Sequence, residues 1–215
     1  MLDFYRDKRI LVTGHTGFKG AWLSKILVKA GAKVVGYALK PPTEPSLFEI
    51  LNLEKEMISI EGDVRDLRHL KEVFDKYQPE LVIHMAAQPI VRASYEDPVY
   101  TYETNVMGTV NLLECVRQTD SVKSVLNVTT DKVYENRELT RGYVEEDFLD
   151  GYDPYSNSKS CSELVTHSYI KSFFQDRDIA VSTARAGNVI GEGSVRGAGD
   201  VHSKSKVHSP ISACA

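Results

Sequence analysis

Long apolar runs are absent from this 215-residue chain, and no stretch approaches the roughly 18 residues of a membrane-spanning helix. Basic charge is not in surplus: 26 Lys and Arg stand against 30 Asp and Glu, a formal net charge of −4, so no general attraction to nucleic acid or anionic membrane is expected. Cysteine is scarce. Cys115, Cys161 and Cys214 lie far apart and form neither a disulfide framework nor a metal-ligand spacing. No metal site is therefore expected, and a reducing cytoplasm is the expected compartment. The amino terminus, MLDFYRDKRILVTG, is charged and enters an apolar segment at once, unlike a secretory leader. What is present is 42% apolar residue, ample for a core, since a chain of this size buries roughly 70% of the surface it would expose unfolded.

Apolar runs and helical patterns alternate along the chain. Strands are expected at Arg9–Thr13, Lys33–Ala38, Met57–Glu61, Leu81–Met85, Val122–Thr129 and Ile179–Arg185. Between them, Trp22, Leu23, Ile26, Leu27 and Ala30 recur at helical spacing before Gly31, and Trp22, Leu23, Ile26 and Leu27 are expected to be core. Leu67, Leu70, Val73, Phe74 and Tyr77 mark a second helix, a long one is expected from near Asp97 to Arg117, and another over Tyr155–Phe174. Strands alternating with helices imply right-handed crossovers, and so an α/β fold of the Rossmann type with a doubly wound parallel sheet.

Three glycines, Gly14, Gly17 and Gly20, follow the first strand and open the first helix. That pattern suits a tight turn, close approach of a pyrophosphate and close helix–sheet packing, with free N–H groups at the helix start. Placed there, it favours dinucleotide binding over an ordinary strand–helix turn. His15 and Lys19 lie inside the loop, either contacting phosphate or simply solvated. The acid that usually ends the second strand is missing: the run is Tyr37-Ala38-Leu39-Lys40, and Lys40 tolerates a 2′-phosphate, so the residues alone leave NAD and NADP open.

Tyr155 and Lys159 form a Y-x-x-x-K pair one helical turn apart. A protonated lysine about 6 Å from a phenol is worth roughly 2.8 kcal/mol at an effective dielectric of 20, enough to lower the tyrosine by about two pKa units toward general-base use. With the glycine loop, Gly62-Asp63-Val64-Arg65-Asp66, His84-Met85-Ala86-Ala87, Asn105-Val106-Met107-Gly108-Thr109 and Arg185-Ala186-Gly187-Asn188-Val189, this pair resembles the extended short-chain dehydrogenase/reductase family. The resemblance runs from Arg9 to about Gly193. It implies NAD held by Gly14, His15, Thr16, Gly17, Phe18, Lys19, Gly20, Asp63 (on the adenine), Val64, Ala86, Ala87, Gln88 and Asn105, with Tyr155 and Lys159 at the nicotinamide end. A homodimer built on a four-helix interface of Asp97–Arg117 and Tyr155–Phe174 is also implied.

Gly14-His15-Thr16-Gly17-Phe18-Lys19-Gly20, Pro41-Pro42-Thr43-Glu44-Pro45-Ser46-Leu47-Phe48, Thr129-Thr130-Asp131-Lys132 and Gly151-Tyr152-Asp153-Pro154-Tyr155 are similar to the branch of that family formed by CDP-glucose 4,6-dehydratases. The implied reaction on CDP-glucose is transient C4 oxidation, loss of water across C5–C6 and hydride return to C6. Tyr155 and Thr130 act at the C4 hydroxyl, Asp131 is the candidate acid, and Lys132 stands where many sugar-nucleotide dehydratases carry glutamate. Elsewhere Asp131-Lys132 would read as a solvated charge pair. At the carboxyl end of a parallel strand the functional reading is favoured. Asn188 contacts the substrate diphosphate or holds the edge turn. A 4-epimerase, which uses the same Tyr, Lys and Thr, is the alternative, and so is a nucleotide-binding remnant without catalysis.

Residues 194–215 are rich in Ser, Gly, Lys and His with neither period, and disorder is expected there. The expected organisation is a cofactor-binding and catalytic domain over 1–193, an unpatterned tail, and no carboxyl-terminal substrate domain. A truncated or interrupted reading frame is the expected origin.

Overall fold

The structure, a computed structural model, describes residues 2–189. The expected disorder of 194–215 lies outside the described residues. Six strands form one parallel sheet: β1 (Arg9–Thr13), β2 (Lys33–Ala38), β3 (Ile58–Glu61), β4 (Leu81–His84), β5 (Ser124–Thr130) and β6 (Ala180–Ala186), in the order β3-β2-β1-β4-β5-β6. The order reverses between β1 and β4, which opens a crevice at the carboxyl ends of those strands. The doubly wound Rossmann-type fold expected from the alternation is the one observed. Strand ends move by one or two residues from the sequence reading, because pairing partners set them: Thr130 and Ala186 extend β5 and β6 together as a register pair.

Successive β1 residues serve opposite faces. Leu11 packs with Val35, Tyr37, Val82 and Val125 against α3 (Leu67–Tyr77) and α6 (Gly108–Arg117), through Leu70, Val73, Phe74, Leu112, Leu113 and Val116. Ile10 and Val12 pack with Val34 against Leu27 of α1 (Phe18–Lys29). The face of α1 turned to the protein is Gly20, Ala21, Ser24 and Leu27, while Trp22 and Ile26 are exposed. The expectation that Trp22 and Ile26 are core is thus corrected. Small side chains let the helix approach the sheet, and that rotates the bulky positions outward.

α2 (Leu47–Ile50), α4 (Val91–Glu96) and α5 (Pro98–Tyr102) are short. The long helix expected from Asp97 to Arg117 is instead α5, a π-helical turn over Glu103–Met107 and α6, wound one after another. Asp97 caps α5 by accepting the Tyr100 N–H at 2.9 Å. The last helix, α7 (Pro154–Tyr169), is capped by Asp153 and runs into a second π-helical turn at Ile170–Phe174. Among the described residues no helix is long and apolar enough to cross a membrane.

Candidate active site

The glycine loop lies over the crevice. Gly14 holds φ +75°, and a β-carbon there would sit 2.8 Å from the Ala86 nitrogen, so the loop and the segment after β4 touch backbone to backbone. A β-carbon on Gly20 would run into the Gly14 carbonyl, whereas one on Gly17 would meet little. Gly17 is the N-cap of α1 and supplies no side-chain cap, so the first N–H groups of the helix are left for a ligand. This open cradle fits a dinucleotide pyrophosphate.

Thr13, at the end of β1, ties the neighbouring segment in place. Its Oγ1 accepts the N–H groups of Met85 (3.0 Å) and Ala86 (3.1 Å), which leaves its own hydrogen for Nδ1 of the buried His84 at 2.8 Å. His84 then carries its proton on Nε2, facing Thr109 Oγ1 at 3.4 Å. Burial, reinforced by the Lys159 charge, lowers the His84 pKa to about 3, so the ring is neutral.

The other expected cofactor residues divide by position. Thr16 donates to the Leu39 carbonyl at 2.9 Å, which joins the glycine loop to the exit of β2. Phe18 and Lys19 start α1, and the charges of Asp131 and Lys132 reach Lys19 across the crevice. His15 neither faces solvent nor points to the phosphate cradle. Its ring is buried over the bare backbone of Gly36, edge-on to Phe48 at 5.2 Å, with Nε2 paired to Ser59 Oγ at 2.7 Å. Burial lowers its pKa to about 4, although the backbone at Tyr37 works in the opposite direction.

Asp63 follows β3, and its carboxylate receives the Arg65 backbone N–H (2.9 Å) and guanidinium (2.7 Å). Burial raises its pKa, and those Arg65 contacts outweigh it, so the net shift is downward. The Val64 side chain is buried between α3 and α6, leaving only backbone for a cofactor. Ala86 and Ala87 are half-buried beside the loop. Gln88 and Asn105 are buried in one network: Asn105 Oδ1 accepts Gln88 N–H (2.8 Å), and its Nδ2 donates to Gln88 O (3.1 Å) and Ser158 Oγ (2.9 Å). Both brace the segment after β4 against α7.

The chemical group assembles where β5 ends. Thr130 is buried and donates to Asp131 Oδ1 at 3.1 Å. Lys132 Nζ stands 4.0 Å from the same oxygen, and both charged side chains are about half exposed. A β-carbon on Gly187 would lie 3.3 Å from Asp131 Oδ2, so Gly187 leaves that carboxylate room. Tyr155 opens α7 with its N–H on Ser94 Oγ at 3.1 Å. Lys159 is buried one turn later and donates to the Val128 carbonyl at 3.0 Å. Asn188 is exposed just beyond β6.

The electrostatics correct one expectation. Tyr155 is raised from its ordinary value, not lowered: burial is the largest cause, a Thr130 hydrogen bond pulls it down, and Asp131 and Asp153 push it up. Lys159 is not among the causes of that shift; its ammonium donates to the Val128 carbonyl and is itself desolvated. Burial first, then the Lys19 charge, lowers Lys159 to about 8, with Glu163 resisting.

Glu163 was not anticipated. It is buried one turn past Lys159 and accepts from Thr129 Oγ1, Thr183 Oγ1 (2.7 Å) and Arg185 Nε (3.1 Å). Arg185 also donates to Tyr134 OH at 2.9 Å and covers that ring at 4.9 Å. The Y-x-x-x-K-x-x-x-E spacing of positions 155, 159 and 163 was the available signal, since it puts all three on one helix face.

The sequence profile of the GDP-mannose 4,6-dehydratase family matches residues 11–202. The chain belongs to that family. It is 54% identical, over 89% of its length, to the CDP-glucose 4,6-dehydratase of Salmonella typhimurium, and 29% identical over 77% of its length to the CDP-paratose 2-epimerase of Salmonella typhi. Among solved structures it is similar to the dTDP-glucose 4,6-dehydratase DesIV of Streptomyces venezuelae, with NAD and DAU bound (TM-score 0.72, 26% identity, 82% of this chain and 55% of that one). The UDP-glucose 4-epimerase of Thermus thermophilus in complex with NAD is comparable (TM-score 0.72, 28% identity, 82% of this chain and 54% of that one). The chain spans about half the length of the curated relatives it matches, 55% and 54% for the two Salmonella proteins.

Proposed function

We propose that this chain carries the cofactor-binding and catalytic part of an NAD-dependent sugar-nucleotide 4,6-dehydratase acting on CDP-glucose. The open pyrophosphate cradle at Gly17, with its uncapped helix start, supports the dinucleotide. The 54% identity to a CDP-glucose 4,6-dehydratase supports the choice of sugar nucleotide. The observation that carries the reaction class is Thr130-Asp131-Lys132 at the mouth of the crevice, electrostatically coupled to Tyr155. An epimerase uses the same tyrosine, lysine and threonine, and has no use for an acid and a base beside them.

Bound NAD supplies the hydride acceptor for C4 and the hydride donor for C6. Tyr155 takes the C4 hydroxyl proton, with Thr130 orienting that hydroxyl. To act as that base it must ionise against a pKa that burial raises, and the positive charge of a bound nicotinamide would favour the phenolate. Oxidation at C4 acidifies the C5 proton. Once the Lys132 ammonium has passed a proton to the Asp131 carboxylate 4.0 Å away, the neutral amine removes the C5 proton and the protonated Asp131 gives its own to the departing C6 hydroxyl. Lys159 holds the nicotinamide ribose, and its pKa of about 8 leaves it mostly cationic at neutral pH. Asn188 meets the diphosphate.

Exposed Tyr95, Val99 and Met107 between α4 and α6, with exposed Leu164 on α7, suit burial against a second copy. The free thiols of Cys115 and Cys161 suit a cytoplasmic setting.

The test is titration of the purified chain with NAD and then CDP-glucose, with detection of the 4-keto-6-deoxy product. Asp131→Asn is expected to lower product formation about 100-fold while C4 oxidation, read as NADH absorbance, continues. Unchanged turnover in that variant overturns the dehydratase assignment. NAD binding without any product reduces the chain to a nucleotide-binding remnant.

A further inference from the structure

One excursion of the chain separates the two pairs of reacting groups, and both of its ends return to the same helix. Asp131 and Lys132 follow β5, Tyr155 and Lys159 lie in α7, and residues 133–152 run out and back between them. The outgoing and returning limbs pair as an antiparallel bridge between Tyr134 and Leu149, with the Glu135 N–H on the Phe148 carbonyl at 2.9 Å. Ser160, buried next to Lys159, donates to the Val133 carbonyl at 2.8 Å and accepts the Gly151 N–H at 3.0 Å. A β-carbon on Gly151 would strike the Ser156 carbonyl group, so the returning limb lies against the first turn of α7.

Arg185 of β6 takes hold of the same limbs. Its Nε and Nη2 grip the two Glu163 oxygens at 3.1 and 3.2 Å. Its Nη1 donates to the Tyr134 hydroxyl at 2.9 Å and to the Glu145 carbonyl at 3.2 Å. The Tyr134 ring lies under the guanidinium and stacks on Tyr143 at 4.9 Å. Glu163 is fixed in turn by the hydroxyls of Thr129 and Thr183. A planar guanidinium can hold a carboxylate with one edge and offer its third nitrogen elsewhere, whereas an ammonium is a point charge on a flexible stem. The Arg185 side chain is only 16% exposed, so solvent screens these bonds little.

We propose that Arg185 is a positioning residue for the reacting groups: by clamping Tyr134 and Glu145 to Glu163 of α7, it sets where Asp131 and Lys132 stand relative to Tyr155 and Lys159. It touches none of the reacting atoms. Tyr134 lies two residues beyond Lys132, so slack at Tyr134 reaches the acid–base pair through Val133 alone. A misplacement of about 1 Å at such a pair can cost on the order of 100-fold in rate. This rests on the dehydratase reading above and extends it to a side chain behind the site.

Arg185→Lys separates placement from charge, because it keeps a cation opposite Glu163. Amide hydrogen exchange on the whole chain reads the limbs without requiring turnover. The Glu135 and Gly151 amides are expected to exchange about tenfold faster than in the wild type. Amides of β1, and the NAD affinity measured by calorimetry, are expected to stay within about twofold. With CDP-glucose, kcat is expected to fall about 10- to 100-fold while KM stays within about threefold. Tyr134→Phe keeps the ring and the Arg185–Glu163 pair but gives up one hydrogen bond. It is expected to speed exchange of the Glu135 amide about threefold, and it carries the test if Arg185→Lys does not fold.

Limb amides that exchange as in the wild type, or loosened limbs with kcat unchanged, overturn the proposal and leave the dehydratase reading standing. A wild-type chain forming no 4-keto product overturns the dehydratase reading, and exchange then decides the clamp by itself: loosened limbs uphold it and unchanged limbs overturn it.

Discussion

The two flanks of the sheet are held together by different chemistry. Over β1 and β2 the buried side chains of α3 and α6 are mostly apolar: Leu70, Val73 and Phe74, then Leu112, Leu113, Cys115 and Val116. Those two strands are buried along all but their first residue. Toward β5 and β6 the buried residues of α7 are all polar or charged: Ser156, Ser158, Lys159, Ser160, Ser162, Glu163 and Thr166. β6 stays partly exposed along its whole length. Apolar packing is non-directional and tolerates small shifts, whereas hydrogen bonds fix distance and angle. The half that cradles a cofactor is thus closed by burial, and the half that must place Tyr155 and Lys159 is pinned by bonds.

The sharpest way to break this contrast is to remove one buried group from each half. Glu163→Ala removes the buried carboxylate that holds half-buried Arg185, Thr129 and Thr183, and is expected to cost about 3–5 kcal/mol, with any turnover falling further than stability explains. Leu70→Ala is expected to cost a similar ~2–5 kcal/mol by leaving a cavity, with turnover per folded molecule unchanged. Urea denaturation followed by kinetics on the folded fraction separates the two. Equal catalytic loss in both variants would remove the distinction between the halves.

Gly20→Ala forces a methyl group against the Gly14 carbonyl. It is expected to cost about 1–3 kcal/mol and to abolish dinucleotide binding, read by thermal melting with and without NAD. A variant that NAD still stabilises normally would show that the cradle tolerates the shift.

Acid acts on both halves through two buried imidazoles. Unfolded histidines take up a proton near pH 6.5, whereas His15 and His84 in the folded chain do so only near 4 and 3. Both folded values are depressed, so this stability is complete above pH 6.5 and declines as the pH falls, to about 4 for His15 and about 3 for His84. Each contributes a slope of ~1.4 kcal/mol per pH unit between those limits. His84→Gln is expected to remove about half of the slope in urea titrations between pH 6 and 4.5, and an unchanged slope would contradict the neutral assignment.

The smallest effect compares two helix caps. Asp66→Ala and Asp153→Ala each remove a side chain that accepts a backbone N–H at 3.0 Å, and each is expected to cost ~1 kcal/mol. Only Asp153 caps the helix that carries Tyr155 in its first turn, so only that change is expected to lower turnover as well.

Much of this was legible in the residue order. Alternation of apolar runs with helical patterns specified the parallel sheet, and Gly14, Gly17 and Gly20 specified the cradle, because both are local patterns that recur whatever surrounds them. Trp22 and Ile26 were misread because helical spacing locates a stripe but not which stripe meets the sheet, and the small face at Gly20, Ala21 and Ser24 took precedence. His15 looked like a loop residue facing phosphate or solvent. Its burial depends on Gly36, Phe48 and Ser59, which are distant in sequence.

The lowered tyrosine expected from the Tyr155/Lys159 spacing failed for the same kind of reason. Spacing gives the distance along a helix, but the depth of burial that raises Tyr155 comes from the elements packed around it. By itself the sequence determined the fold class and the glycine loop and named candidate reactive side chains, all from short-range periodicity and residue type. Only the tertiary structure decided the burial of Tyr155 and Lys159 and the Glu163–Arg185 pair behind them. Desolvation and pairing depend on neighbours brought together by packing, and no local pattern records them.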